Sequence, residues 1–226
     1  ALADGTYSDC TITVTDSAGN TQTITVNTFT IDTVKPVLSE VTAVTTPTND
    51  NTPSYTFSST ETGNIAYGVC SGSPNNASAD NNTITFDALT DGTYSDCKIS
   101  VTDNASNTSD NLSVSSFTID TTAPTLALVT AVTTPTKDPT PGYVFSSDEA
   151  GTISYGGCSP GETSAINGTN SISFGTLSEA SYSCTITVTD STGNASIALS
   201  VNTFVVDTTA PTVSSVSSST SDGAYK

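Results

Sequence analysis

An internal repeat of 87 or 88 residues constrains this chain more than any other feature. Asp4-Gly5-Thr6-Tyr7-Ser8-Asp9-Cys10 returns 87 positions later as Asp91-Gly92-Thr93-Tyr94-Ser95-Asp96-Cys97. Val41 to Thr48 returns 88 positions later as Val129 to Thr136. Thr30-Ile31-Asp32-Thr33 recurs as Thr118-Ile119-Asp120-Thr121 and as Val205-Val206-Asp207-Thr208, with Phe29, Phe117 and Phe204 in step. Such a period suits a small β-sandwich, since a solenoid turn is about half that length or less. It divides the 226 residues into the last third of one copy (1–33), two whole copies (34–120 and 121–207) and the start of a following domain (208–226). That last segment opens with Pro211-Thr212-Val213 and then departs from the repeat in the Ser-rich stretch 214–220 and in Ser221-Asp222-Gly223.

Composition removes most chemistry. His, Arg, Met and Trp are absent, and four Lys stand against 22 Asp and Glu, a net charge of -18. Without His there is no Ser-His or Cys-His nucleophile pair and no ordinary zinc or haem ligand set. So few cations leave no groove for a phosphate backbone, which argues against nucleic-acid partners. No run approaches the roughly 20 apolar residues of a membrane span, so membrane insertion is not expected. A non-catalytic protein is the expectation.

The apolar residues fall in short alternating runs rich in Thr, Val, Ile, Tyr and Phe, punctuated by Gly and Pro. Within one copy, strands are predicted at 37–44, Ser54–Ser59, Asn64–Val69, Thr83–Phe86, Tyr94–Thr102 and Thr108–Ile119. Alternation is clearest where Cys97, Ile99 and Val101 share one face. Six or seven such strands per copy predict an all-β fold of tandem immunoglobulin-like β-sandwiches.

The repeat also explains an odd cysteine count. Cys10, Cys97 and Cys184 are equivalent, as are Cys70 and Cys158. Each whole copy therefore owns a pair, Cys70 with Cys97 and Cys158 with Cys184, and Cys10 stands unpaired. Spacings of 27 and 26 residues without a metal-binding His favour disulfides and an extracellular or cell-surface location; buried free thiols are the alternative. The bridge would join the third strand to the strand carrying Ile99. Because Cys70 is out of phase with Ile65 and Tyr67, an irregularity is expected near Gly68, and near Gly156-Gly157 in the next copy.

Tyr94 and Tyr182 precede the second cysteine where a sandwich places the Tyr of a tyrosine corner. Val14-Thr15-Asp16-Ser17-Ala18-Gly19-Asn20 and Val188-Thr189-Asp190-Ser191-Thr192-Gly193-Asn194 share one motif, and Ile119-Asp120-Thr121-Thr122-Ala123-Pro124 carries a second. Both resemble the bacterial Ig-like (Big) tandem repeats of large surface adhesins, over essentially 1–210. The resemblance implies that the first motif is a hairpin and the second an interdomain joint. The middle copy departs from the first motif, reading Asp103-Asn104-Ala105-Ser106-Asn107 without the turn Gly.

In such a topology the first strand, the loop after the second strand and the last hairpin meet at the end nearest the preceding domain. Asp32 is then expected to approach Glu61 and Asp103, and Asp120 to approach Asp148, Glu149 and Asp190. Carboxylates with few cations nearby suit a hard, oxygen-seeking ion such as calcium, and the resemblance implies calcium at such joints. Lys35 weighs against it at the first joint, and Asp103 and Asp190 read equally as turn formers. The expected role is a structural spacer whose partners are neighbouring Ig-like repeats of the same chain. A subunit of an extracellular filament assembled by strand complementation, or a glycan- or protein-binding module, are the alternatives. Tyr225 is the clearest aromatic candidate for the last.

Overall fold

The computed structural model describes residues 1–215. Expectations placed on 216–226, Tyr225 and the departure at Ser221-Asp222-Gly223 among them, lie outside the described residues. The chain divides into two units, Ala1–Thr121 and a second from Thr122. Among the described residues every regular element is a strand.

The first unit contains a complete sandwich. One sheet orders Leu38–Thr42, Ser54–Ser59, Asp80–Phe86 and Gly72–Ser73 side by side, and the facing sheet orders Leu112–Ser113, Lys98–Thr102, Gly63–Tyr67 and Asn76–Ala77. A third ribbon pairs Gly92–Tyr94 with Phe117–Ile119. Strand alternation assigns the faces. Tyr55 and Phe57 point inward from the first sheet, Ile99 and Val101 from the second, and all four are 1% exposed or less. Ile84, Phe86, Phe117 and Ile119 complete the core. Truncating one of these aromatics to Ala costs about 3–5 kcal/mol, because the dense surroundings cannot collapse into the hole.

The second unit repeats this plan. Leu126–Thr130, Gly142–Ser147 and Gly168–Ser173 form one sheet; Ser164–Ala165, Gly151–Gly156, Thr185–Thr189 and Leu199–Ser200 form the other. Its core holds the repeat equivalents Tyr143, Phe145, Ile172, Phe174, Ile186, Val188, Phe204 and Val206. Even the irregularity of the first strand is shared, a register shift between Glu40 and Thr42 in one unit and between Leu128 and Thr130 in the other.

Two expected strands are broken. The stretch 94–102 splits into Gly92–Tyr94 and Lys98–Thr102, and 108–119 splits into Leu112–Ser113 and Phe117–Ile119. Each half pairs in a different sheet. The chain changes sheets at Ser95–Cys97, and Tyr94 keeps its ring on Phe117, centroids 5.4 Å apart. The predicted strand Thr83–Phe86 begins earlier, at Asp80. Asn82 makes the polar start possible: its side-chain oxygen accepts from the Ser78 amide and its NH2 donates to the Ser78 and Asp80 carbonyls. The third strand ends at Tyr67. The chain then bends, leaving Val69 exposed and Cys70 2% exposed. Gly157 does the same in the second unit with φ +76°.

Both disulfides form, Cys70–Cys97 with Cα atoms 5.3 Å apart and Cys158–Cys184 with 5.5 Å. The tyrosine corner is present three times: Tyr7 donates to the Ala3 carbonyl (2.9 Å), Tyr94 to Thr90 (2.8 Å) and Tyr182 to Ser178 (3.0 Å). The surplus of Thr also finds a use. Exposed hydroxyls bond across strands in pairs such as Thr93–Thr118 and Thr56–Thr83, both 3.0 Å, and such cross-strand pairs each add a few tenths of a kcal/mol, up to about 1.

Residues 1–33 keep only the closing ribbons of this plan. Gly5–Tyr7 pairs with Phe29–Ile31, and Thr11–Thr15 pairs with Thr21–Thr25.

Candidate functional site

The hairpin after Thr102 places the first acidic residue of the site. Asp103 accepts from the Asn107 amide (2.8 Å) on Oδ1 and from the Asn107 side chain (2.8 Å) on Oδ2. Its own amide donates to the Asn107 carbonyl, 3.0 Å. Asp16 holds Asn20 and Asp190 holds Asn194 in the same way. This turn needs a left-handed residue before the Asn: Gly19 has φ +88° and Gly193 +98°, and where the middle copy lacks Gly, Ser106 takes φ +75°. The geometry is therefore kept at the cost of strain, about 1 kcal/mol for a side chain in that region.

The loop between Ser54–Ser59 and Gly63–Tyr67 places the second. Buried Ser59 donates to the Glu61 carbonyl (2.7 Å) and accepts its amide (3.3 Å). Gly63 then passes so close to the neighbouring strand that a Cβ would collide with the Thr102 carbonyl. That approach brings Glu61 beside Asp103. Asp32 arrives from the entering segment, where the Asn107 side chain donates to its carbonyl, 3.1 Å. One carboxylate oxygen from each of Asp32, Glu61 and Asp103 lies within 4.8 Å of the others. They line an open depression with Thr60, Thr62, Ala79 and Asn104.

Burial pushes the Glu61 carboxyl above its ordinary range, and the charges of Asp32 and Asp103 add to it. Burial also pushes Asp103 upward, but the side chain and amide of Asn107 with the amides of Ala105 and Ser106 outweigh it and hold Asp103 below its ordinary range. Asp103 thus holds its charge beside Glu61, which resists ionisation. Lys35 does not neutralise them, because its Nζ sits 2.7 Å from Asp110 Oδ1.

The second unit rebuilds its share of this arrangement. Ser147 fixes Glu149 as Ser59 fixes Glu61, and the carboxylates of Glu149 and Asp190 lie within 4.8 Å. Asp148 serves differently: its Oδ1 accepts the Thr125 amide at 2.6 Å, which ties down the start of the first strand. Asp120 ends the first unit, its amide donating to the Thr48 carbonyl, 2.9 Å.

A further set of acidic residues escapes sequence reasoning. Asp91 accepts the amide (2.9 Å) and hydroxyl (2.7 Å) of Thr121, and Glu179 accepts both from Thr208, each at 2.8 Å. Asp4 accepts the Thr33 hydroxyl, 3.0 Å. Each copy thereby clamps the Thr that follows its last strand. The only sequence signal is co-occurrence, an acidic residue before each corner Tyr and a Thr after each Asp of the joint.

Two oxygens that each lie about 2.4 Å from one calcium ion are at most about 4.8 Å apart, and these three oxygens all lie within that separation. The donor set of three carboxylates therefore fits calcium, with Thr and Asn oxygens and water to complete the shell.

Residues 168–225 match the family model described as a bacterial Ig-like domain (group 3). That segment resembles these domains, and the described residues hold two Ig-like β-sandwiches. Among solved structures it is similar to the fibronectin(III)-like modules of Clostridium thermocellum CbhA, at 11% identity and TM-score 0.38, over 75% of this chain and 94% of that one. The D00-D0 domain of intimin is similar at 9% identity and TM-score 0.36, over 74% of this chain and 98% of that one. No curated protein matches.

Proposed function

We propose that this chain is a non-catalytic spacer of a secreted or cell-surface bacterial protein, in which Ig-like repeats joined by short acidic segments hold other parts at a distance. The observation that carries this reading is where its chemistry is spent. The aromatics of the two sandwiches are buried in the cores or packed against them, and Asp32, Glu61 and Asp103 converge where the 1–33 segment enters the first sandwich. The two disulfides support an oxidising, extracellular setting.

Calcium belongs to the same proposal. Asp32, Glu61 and Asp103 would ligate it in the first unit, and Glu149 with Asp190 offers the equivalent donors in the second. The ion would offset the burial of Glu61 and the charges of Asp32 and Asp103 that together raise it, and restrict the joint. Linkage fixes the sign of the pH effect. Calcium must displace a proton from Glu61, so its affinity falls as pH drops toward the raised Glu61 value. Asp103, with its lowered value, contributes stability above the ordinary carboxylate range that is lost as pH falls through that value. Calorimetric titration of the chain at pH 7 should show about two equivalents of calcium bound, and one in Asp103→Asn. Absence of heat above dilution at millimolar calcium would remove the ion from this proposal.

A further inference from the structure

Residues 1–33 leave uncovered an apolar face that their copies in the two sandwiches bury. Ile12 is 52% exposed, Val14 66% and Ile24 57%, whereas Ile99, Val101, Ile186 and Val188, which repeat Ile12 and Val14, are 1% exposed or less. The contrast does not come from local sequence. Cys10–Asn20 and Cys184–Asn194 differ at a single position, Ala18 against Thr192. In the second unit, the strand with that sequence pairs with Gly151–Gly156: Thr189 opposite Thr152, Val188 opposite Ile153, Ile186 opposite Tyr155. Cys184 is bonded to Cys158 just beyond. Thr11–Thr15 pairs on one side only, with Thr21–Thr25, and Cys10 is a free thiol.

We propose that residues 1–33 are the acceptor half of a third sandwich, whose occupant is the opening half of a repeat of this same type, its third strand pairing on Thr11–Thr15 and its cysteine joining Cys10. The occupant is specified by chemistry shown twice in this molecule. It needs a strand reading Gly-x-Ile-x-Tyr with a cysteine three residues after the Tyr, as in Gly63 to Cys70 and Gly151 to Cys158. It must carry an aromatic at the place of Phe174, which stacks on Phe204 with centroids 5.9 Å apart, to cover Phe29, whose ring now stacks on Tyr7 at 5.3 Å. Covering some six to eight such side chains removes roughly 500–800 Å² on this face, close to the half-interface of a stable complex. The backbone is already in place at the cysteine end: Val26 donates to the Cys10 carbonyl as Val201 does to Cys184. Closing the disulfide breaks two S–H bonds and forms one S–S bond. A disulfide oxidant such as oxidised glutathione takes up the two electrons and two protons as two molecules of reduced glutathione. This inference goes beyond the spacer reading and stands whether or not the joints bind calcium.

The test uses the full chain and a peptide of residues 122–178, which carries the opening half of the second repeat with Cys158. In a glutathione redox buffer, the account expects a one-to-one adduct linked through Cys10, and outer-edge amides of Thr11–Thr15 whose hydrogen exchange slows about tenfold or more. A Cys158→Ser peptide should still protect those amides without the covalent link. Val14→Asp in the chain, an exposed position that leaves its own fold intact, should abolish both effects. A shorter peptide of residues 150–159 guards against failure of the longer one to stay soluble. Lack of protection by either peptide, equal adduct with a scrambled peptide, or a Cys10–Cys10 dimer formed in preference to the adduct would each overturn the proposal.

Discussion

Thr11-Ile12-Thr13-Val14-Thr15 and Thr185-Ile186-Thr187-Val188-Thr189 are the same five residues in two settings. The first is exposed at every position; the second alternates, with Ile186 and Val188 fully buried. The ladders beside them differ too. Thr11–Thr15 pairs without interruption from Thr11↔Thr25 to Thr15↔Thr21. In the second unit, Thr189 bridges Ala195 while Ile186 faces Leu199, a spacing that needs one extra residue on the outer strand. Buried Ser196 takes up that position, donating its amide to the Val188 carbonyl (2.8 Å) and accepting the Val188 amide on its hydroxyl (3.0 Å). Ser109 does the same with Val101. This bulge re-aims the outer strand so that Val114 and Val201 turn into their cores at 4% exposure. A strand's burial is thus decided by what lies across from it, and the bulge accompanies a completed sandwich.

The comparison can be broken most forcefully at its matched isoleucines. Ile186→Ala should lower the stability of the second unit by up to about 4 kcal/mol in denaturant unfolding, whereas Ile12→Ala should change nothing beyond about 0.5 kcal/mol. Equal losses at the two sites would mean that 1–33 is packed as tightly as its copies. The cysteines come next. Replacing Cys158 and Cys184 together by Ser should cost about 3 kcal/mol through the freed loop of the unfolded chain, and Cys10→Ser should be silent in the same melt. The smallest effect lies in the turn. Ser106→Gly should raise the stability of the first unit by about 1 kcal/mol by relieving its left-handed backbone, bringing it level with the turns at Gly19 and Gly193.

Much of this was legible because the chain states its plan more than once. Duplicated cysteines point to their own pairing, and aromatics at equal spacing mark the core. Alternation located Ser54–Ser59 to the residue, since that strand is buried on one face throughout its length. It was blind to the breaks at Ser95–Cys97 and Ser115–Ser116, because periodicity reports which face a residue occupies and not which sheet its strand joins. The drift of the repeat from 87 to 88 residues was visible between Cys10/Cys97 and Phe29/Phe117, yet only the ladder explains it as a bulge near Ser109. Within the site, Asp32, Glu61 and Asp103 followed from topology. Sequence alone places Asp148 with them, because a carboxylate beside Glu149 carries no mark that it will accept the Thr125 amide. The clamps at Asp4, Asp91 and Glu179 stayed hidden for a similar reason, since an acidic residue before a Gly or Ala reads first as a turn.

The spacer reading rests most heavily on the joints, and small-angle scattering of the 226-residue chain in calcium and in chelator tests them directly. A longer maximum dimension with a narrower distance distribution in calcium, both lost on chelation and both blunted in Glu61→Gln, is the result the account predicts. Profiles that superimpose in calcium and chelator would contradict it.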